Sequence, residues 1–370
     1  MYRYLIPFCL ALTTLGPAQA EPPRVITDIA PVHSLVSIVM QGVGEPDILL
    51  PPGASPHDFA MRPSDARKIS RAGATIWIGE DFTPWLARSV EALAGDAPSL
   101  QLIKVPGTFT LPYREDAVFL EGTGGDAGHD DHDDPAHKDD HHDDHKHDAH
   151  KHDAHKNDDH ADHKDEHGHD KHGHDDHADH KSEAKVGVAL HDHHGHDHGG
   201  GVDLHAWQYP ENAKTWLDAI AEFLGEIDPD NLIAYRANAL AAKQEIDSLT
   251  AELTEQLTPL RGRVFVVTHD AYHYFEHRFE IEATAAILPG DGGAASAARM
   301  QAISRKLAET SGACIFIEPQ MSDSIARSLA REGNAGIATL DPIGDSLERG
   351  PGLYNGLLRS IGSSLVDCLS

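Results

Sequence analysis

Short apolar runs and longer amphipathic stretches alternate along this chain, with one long interruption. Runs of strand length occur at Val25–Ile29, Ile48–Leu50, Thr75–Ile78, Leu100–Ile103, Val264–Val267, Ala283–Leu288, Cys314–Ile317 and Ile337–Leu340. Between them, apolar positions recur at helical spacing over Val32–Gln41, Pro63–Arg71, Pro84–Leu93, Ser296–Thr310, Ser322–Arg331 and Tyr354–Leu369. Alternating apolar strands and helices predict parallel sheets covered by helices on both faces. Four strands precede the interruption and four follow Arg261. The pattern therefore predicts an α/β chain of two lobes, each with a mainly parallel four-stranded sheet flanked by helices.

A stretch from Pro229 to Leu257 is rich in Ala, Leu, Glu, Lys and Gln and has no glycine or second proline, so it reads as one long helix. Asp228 is placed to cap it, with Pro229 in the first turn. Leu232, Tyr235, Leu240, Ile246, Leu249 and Leu253 mark its apolar face, and Pro259 and Gly262 end it. About 29 residues at a rise of 1.5 Å make a rod roughly 43 Å long. Such a rod can join two lobes and limit their relative motion. The expected organisation is a first lobe over 21–228, a rigid linker helix over 229–258 and a second lobe over 259–370.

The interruption, residues 126–200, changes the picture of charge. It holds 23 of the 29 histidines, with 23 acidic and 8 basic side chains, and so carries half of the net charge of -30. Its texture is that of His141-His142-Asp143-Asp144-His145-Lys146-His147, and little of it is aliphatic before Val186. So little apolar surface cannot offset the entropy of ordering, which predicts a disordered insertion in the first lobe. Dense His and Asp offer many weak metal sites; His141, His142, His145, His147, His193, His194, His196 and His198 are the auxiliary candidates. As flexible coil the segment has an r.m.s. span of roughly 45–50 Å, enough to reach a cleft between the lobes. The acidic balance argues against nucleic acid and anionic membrane as partners and suits a protein that attracts cations.

The N-terminus reads as an export signal over residues 1–20. Arg3 precedes an apolar stretch from Leu5 to Leu15, and Ala18-Gln19-Ala20 fits a cleavage site. A short membrane anchor is the other reading, but the apolar core falls well below the ~20 residues that span a bilayer. Cleavage removes Cys9 and leaves Cys314 and Cys368. In an exported protein two cysteines suggest one disulfide, closing a loop of about 55 residues worth roughly 4 kcal/mol in the chain-entropy account. Two unpaired buried thiols is the alternative.

Of the six remaining histidines, three stand where strands end. His57 follows the turn Pro51-Pro52-Gly53-Ala54-Ser55-Pro56, His205 lies in Asp203-Leu204-His205-Ala206-Trp207, and His269 closes the run from Val264. Ligands of open α/β sheets bind beyond the carboxyl ends of strands. Three neutral imidazoles meeting there would form a His₃ site suited to zinc, and Asp341 has the placement to add an oxygen as fourth ligand. His33 begins a helix near the expected cleft. His273-Tyr274-Phe275-Glu276-His277 matches the H-x-x-E-H pattern of a zinc protease, a weak signal in a chain so rich in histidine.

Larger motifs carry a resemblance. Leu50-Pro51-Pro52-Gly53-Ala54-Ser55-Pro56-His57-Asp58-Phe59 followed by Arg62-Pro63-Ser64-Asp65, then Thr268-His269-Asp270-Ala271-Tyr272, Ile317-Glu318-Pro319-Gln320 and Thr339-Leu340-Asp341-Pro342, resemble in order and spacing the motifs of cluster A-I solute-binding proteins. These are the zinc and manganese receptors of ABC importers. A His/Asp insertion ahead of the His205 motif resembles their zinc-specific, ZnuA-like branch. The resemblance implies a periplasmic, monomeric Zn²⁺ receptor that delivers the ion to a membrane permease and catalyses nothing. It implies ligands at His57, His205 and His269, with Asp341 a ligand in some relatives, and a disulfide between Cys314 and Cys368. Manganese receptors have a carboxylate in place of His269. Pro56 stands where some zinc receptors have Glu, which removes one candidate ligand. A storage protein or metallochaperone built around the insertion, and the H-x-x-E-H protease, are the competing readings.

Overall fold

The computed structural model describes residues 21–57, 59–119, 201–290 and 293–370. The expected signal segment 1–20 and the whole His/Asp insertion, with its auxiliary histidines, lie outside the described residues.

Strands β1 (Val25–Thr27), β2 (Asp47–Ile48), β3 (Ala74–Trp77) and β4 (Ser99–Gln101) form one sheet, in the order β2-β1-β3-β4. Strands β5 (Phe265–His269), β6 (Ala285–Leu288), β7 (Cys314–Ile317) and β8 (Gly336–Thr339) form a second, in the equivalent order β6-β5-β7-β8. Every pairing within the two sheets is parallel. In each, chain direction along the sheet reverses beside the first strand, and the carboxyl ends of β1 and β5 mark the two switch points where ligands bind in such sheets.

Helices α1 (Ala30–Val39), α2 (Pro63–Ile69), α3 (Pro84–Leu93), α4 (Pro210–Ile227), α5 (Leu232–Leu257), α6 (His273–Phe279), α7 (Ala297–Ala308), α8 (Ser324–Gly333) and α9 (Leu353–Leu369) cover the sheets. The central strands are mostly apolar, and their successive side chains enter different layers. Ile26 and Trp77 point into a small cluster with Ile69 of α2 and Leu86 of α3. Val266 and Ile315 point into another with Ile303, Leu307 and Leu329 of α7 and α8. Their neighbours Val25, Ile76, Phe265, Val267 and Phe316 all enter one continuous central core. The two sheets therefore share a core, filled by α1, α4, α5 and α9.

Helix α4 is an element that the apolar pattern was not read to contain. Its 18 residues bury Ala213, Trp216, Leu217, Ile220, Ala221 and Leu224, spaced three and four apart as on one helical face. The long helix differs in detail from expectation. A 3₁₀ turn over Pro229–Asn231 precedes α5, and the Asp228 carboxylate caps no backbone group. It accepts hydrogen bonds instead from Asn231 Nδ2 at 2.8 Å and Tyr235 Oη at 2.7 Å. Leu240 is 58% exposed, and the buried stripe runs through Tyr235, Ala239, Ala242, Ile246, Leu249 and Leu253. Alanines replace leucine there because α4 and α1 lie close.

The two limbs of chain that flank the insertion are braced against the second lobe. Tyr113 N donates to Gly201 O at 3.1 Å and Asp203 N to Leu111 O at 2.8 Å, forming a short antiparallel neck. Tyr274 Oη of α6 accepts from Leu111 N at 2.9 Å and donates to Asp203 O at 2.6 Å, so it holds both limbs. Phe119 N reaches Thr284 O at 2.8 Å beside the β6 edge. Between these points Arg114 stacks on the Phe119 ring, donates from Nη1 to Glu276 Oε2 at 2.6 Å and from Nε to Asp270 Oδ2 at 3.0 Å. Both carboxylate side chains are 2% exposed.

Two predictions follow from this scaffold. Cys314 and Cys368 are bonded across a separation of 54 residues, tying β7 to the end of α9. Replacing both by alanine should lower unfolding stability by about 2–4 kcal/mol, seen as a fall in the denaturant midpoint. Arg114→Met removes the counter-charge from two buried carboxylates and should cost about 3–5 kcal/mol in the same measurement. An unchanged midpoint would mean that other groups satisfy Asp270 and Glu276.

Candidate metal centre

Three imidazoles meet between the carboxyl ends of the two sheets. His57 sits on the loop after β2, half-buried, with its ring edge against Phe82 at 5.3 Å. The loop's far end is fixed by Trp85 of α3, whose Nε1 donates to Pro56 O at 2.9 Å. His205 follows the returning limb of the neck and is buried. Its Nδ1 lies 2.7 Å from Asp203 Oδ1, which also accepts the His205 backbone N–H at 3.0 Å. An acidic acceptor on Nδ1 fixes the ring and leaves Nε2 as the ligand atom. His269 ends β5, buried, with Nε2 at 3.3 Å from Gly290 O and Nδ1 at 3.7 Å from Glu318 Oε2.

Ring centroids are separated by 5.8 Å for His57 and His205, 5.4 Å for His57 and His269, and 4.9 Å for His205 and His269. One nitrogen from each ring lies within 4.8 Å of the others, and this is the sole such group of three among the described residues. A tetrahedral zinc with bonds near 2.05 Å holds its nitrogens about 3.3 Å apart, so the rings need draw in by no more than about 1.5 Å. The cavity that they line, with Trp207, Glu318 and Gln320, has a volume of about 20 Å³. That is room for an ion or a water and not for an organic substrate.

Electrostatics set the proton occupancy of the site. Burial, with some help from His269, lowers the His205 pKa well below 6.5, so this ring is neutral and ready to bind metal. Burial also pushes the Asp203 carboxyl up to about 7. At His269 burial acts to lower the pKa, but Glu318, the Gly290 carbonyl and Asp270 together raise it above 6.5. His205 and His269 thus differ in how readily a proton would displace a metal.

The remaining sequence candidates lie elsewhere. Asp341 stands outside the cluster and is occupied: Oδ1 accepts from Ile343 N, Gly344 N and Gln320 Nε2 at 3.2, 3.0 and 3.0 Å, and Oδ2 accepts from Ser346 N at 3.3 Å. It would have to give up part of this turn to reach an ion. His33 is bound at Nε2 to Pro46 O at 3.1 Å. The H-x-x-E-H residues do not converge on a common point. Glu276 is paired with Arg114, His277 stacks on Phe109 at 5.3 Å, and His273 Nδ1 faces Asp203 Oδ2 at 3.8 Å. The residues that sequence reasoning did not name as site residues are Asp203, which holds the His205 ring at Nδ1, and Glu318, which lines the cavity beside His269. The D-x-H spacing of Asp203 and His205 was the available signal for the first, and the Ile317-Glu318-Pro319-Gln320 motif for the second.

The chain is similar to known proteins over most of its length. The chain is 38% identical over 362 residues to the "High-affinity zinc uptake system protein ZnuA" of Paracoccus denitrificans, covering 96% of this chain and 95% of that one. It is 35% identical over 350 residues to the protein of the same name from Brucella suis, covering 95% and 92%. A crystal structure of a ZnuA deletion mutant with zinc bound shares the fold, with a TM-score of 0.64 at 18% identity over 94% of this chain and 98% of that one. The family model described as "Zinc-uptake complex component A periplasmic" matches residues 25–368, and the chain belongs to that family.

Proposed function

We propose that this protein is a periplasmic zinc receptor that captures Zn²⁺ and hands it to the membrane permease of an ABC importer. The observation that carries the reading is the convergence of His57, His205 and His269 on a cavity of about 20 Å³. Zinc enters here as cargo. Three nitrogen donors favour zinc over the oxygen-preferring manganese and magnesium. Three protein ligands leave one coordination position for water, so the ion is held tightly and can still be exchanged. Asp203 orients His205 at Nδ1, and Glu318 lies beside His269. The cavity's size supports a role in binding and delivery rather than catalysis. Among the described residues no helix is long and apolar enough to cross a membrane. Export through the segment 1–20, a monomeric state and weak zinc buffering by the histidines of 126–200 complete the proposal, and rest on the sequence.

Two measurements test it. In a chelator competition titration, deletion of 126–200 should lower the zinc stoichiometry and spare one tight site. His57→Ala, His205→Ala and His269→Ala introduced together into that deletion should abolish the tight site. Loss of all binding on deletion alone would instead make the insertion the metal module and the protein a store. The second is the pH dependence of the tight site in the deletion variant. Zinc needs deprotonated rings, so affinity is full where His269 is neutral and falls as pH drops through its raised pKa. His205, with its lowered pKa, contributes only at much lower pH. The first loss should therefore involve fewer than three protons per zinc, because His205 lags behind His269, and a slope of three at the onset would contradict this order.

A further inference from the structure

His57 lies on a loop nine residues beyond the end of β2, and two hydrogen bonds join that loop to the second lobe. At its start, Leu50 O accepts from Arg349 Nη1 at 3.2 Å. At its tip, Gly53 takes a left-handed backbone with φ 77° and donates its N–H to Asp345 Oδ2 at 2.8 Å. Arg349 and Asp345 both belong to the second lobe, on the chain between β8 and α9.

Asp345 is set in place before it meets the loop. Its side chain is 8% exposed. Gln320 Nε2 donates both to Asp345 Oδ2 and to Asp341 Oδ1, each at 3.0 Å. Asp341 in turn collects the backbone N–H groups of Ile343, Gly344 and Ser346, which shapes the turn that presents Asp345. Arg349 Nη2 stands 3.7 Å from Asp345 Oδ1. The acidic residue expected to bind metal thus builds the platform for a second acidic residue, whose carboxylate crosses to the first lobe.

We propose that Asp345 is a positioning residue for metal retention: by gripping the Gly53 N–H it keeps the His57 loop, and with it one of three imidazoles, closed on the other two. This rests on the zinc-receptor reading. A hydrogen bond from a backbone N–H to a carboxylate is among the stronger kinds, and a held ligand recaptures an ion that a loose one lets go. Breaking this single bond opens the site at His57 without disturbing either sheet. Zinc release is then governed by a contact remote from the coordination sphere.

The test is the rate of zinc transfer to excess chelator, with affinities by competition, for the full chain lacking only 126–200. Asp345→Ala should speed zinc release about tenfold and leave the association rate unchanged. Asp345→Asn keeps an acceptor oxygen and should restore most of the slow release. Amide exchange at Gly53 should accelerate in the alanine variant only. In a His57→Ala background, where two imidazoles still hold zinc weakly, Asp345→Ala should weaken affinity no further. Unchanged release in Asp345→Ala, with zinc still lost in His57→Ala, would overturn the proposal and leave the metal site standing. An equal loss in both backgrounds would also overturn it, because the effect would not run through His57. If His57→Ala leaves zinc binding intact, the metal-site reading itself fails.

Discussion

Ligands from two different sheets must reach one ion at bond distances near 2 Å, and this depends on both sheets being packed into a single apolar core. The inner faces of both sheets enter that core, with α1, α4, α5 and α9 between and beside them. Close packing transmits displacement, so a core shared in this way fixes the distance between the end of β5 and the loops of the first lobe. Helix α5 contributes through its buried stripe, where Ala239 and Ala242 let neighbouring helices approach. The disulfide from β7 to the end of α9 adds a covalent tie across the same layer.

Around the site, buried carboxylates lie close to the imidazoles, and burial holds His205 neutral while Glu318 favours a proton on His269. Asp203 is buried against His205, and Asp270 and Glu276 are buried against Arg114. A carboxylate placed behind a histidine fixes its tautomer and strengthens it as a ligand, while burial keeps the free ring unprotonated. Arg114 belongs to the limb that leads into the insertion, and Asp203 to the limb that returns from it. One limb of the neck thus supplies the carboxylate that holds His205 and the other pairs with two buried carboxylates of the second lobe, and Tyr274 joins both limbs to α6.

The three ligands are not held alike. His205 is fixed by Asp203 and His269 by its strand, whereas His57 depends on its loop, anchored by Trp85 within its own lobe and by Asp345 and Arg349 from the other. A receptor has to bind tightly and also let go. Unequal support provides for both, because one ligand can leave while two remain in place. The wiring of Asp341 and Gln320 to Asp345 links that least supported ligand to the turn after β8.

Sequence alone determined the layered architecture and the three candidate ligands. Apolar runs of strand length separated by helical periods specify parallel sheets, since such strands must be covered on both faces. The three histidines could be named because ligands of these sheets gather at strand ends, and because their flanking motifs match a family. The expected export segment and the histidine-rich insertion are likewise compositional features, legible without any fold. Tertiary structure decided what depends on distance between residues far apart in the chain. It joined two expected lobes into one core and filled a gap in the pattern with α4. It turned Leu240 outward, because the stripe that α5 buries is set by its neighbours. It occupied Asp341 with backbone N–H groups, so that strand-end placement did not make it a ligand atom in the cluster. It also brought Glu318 beside His269, and Asp345 onto Gly53 across 292 residues, contacts between parts of the chain that no local pattern pairs.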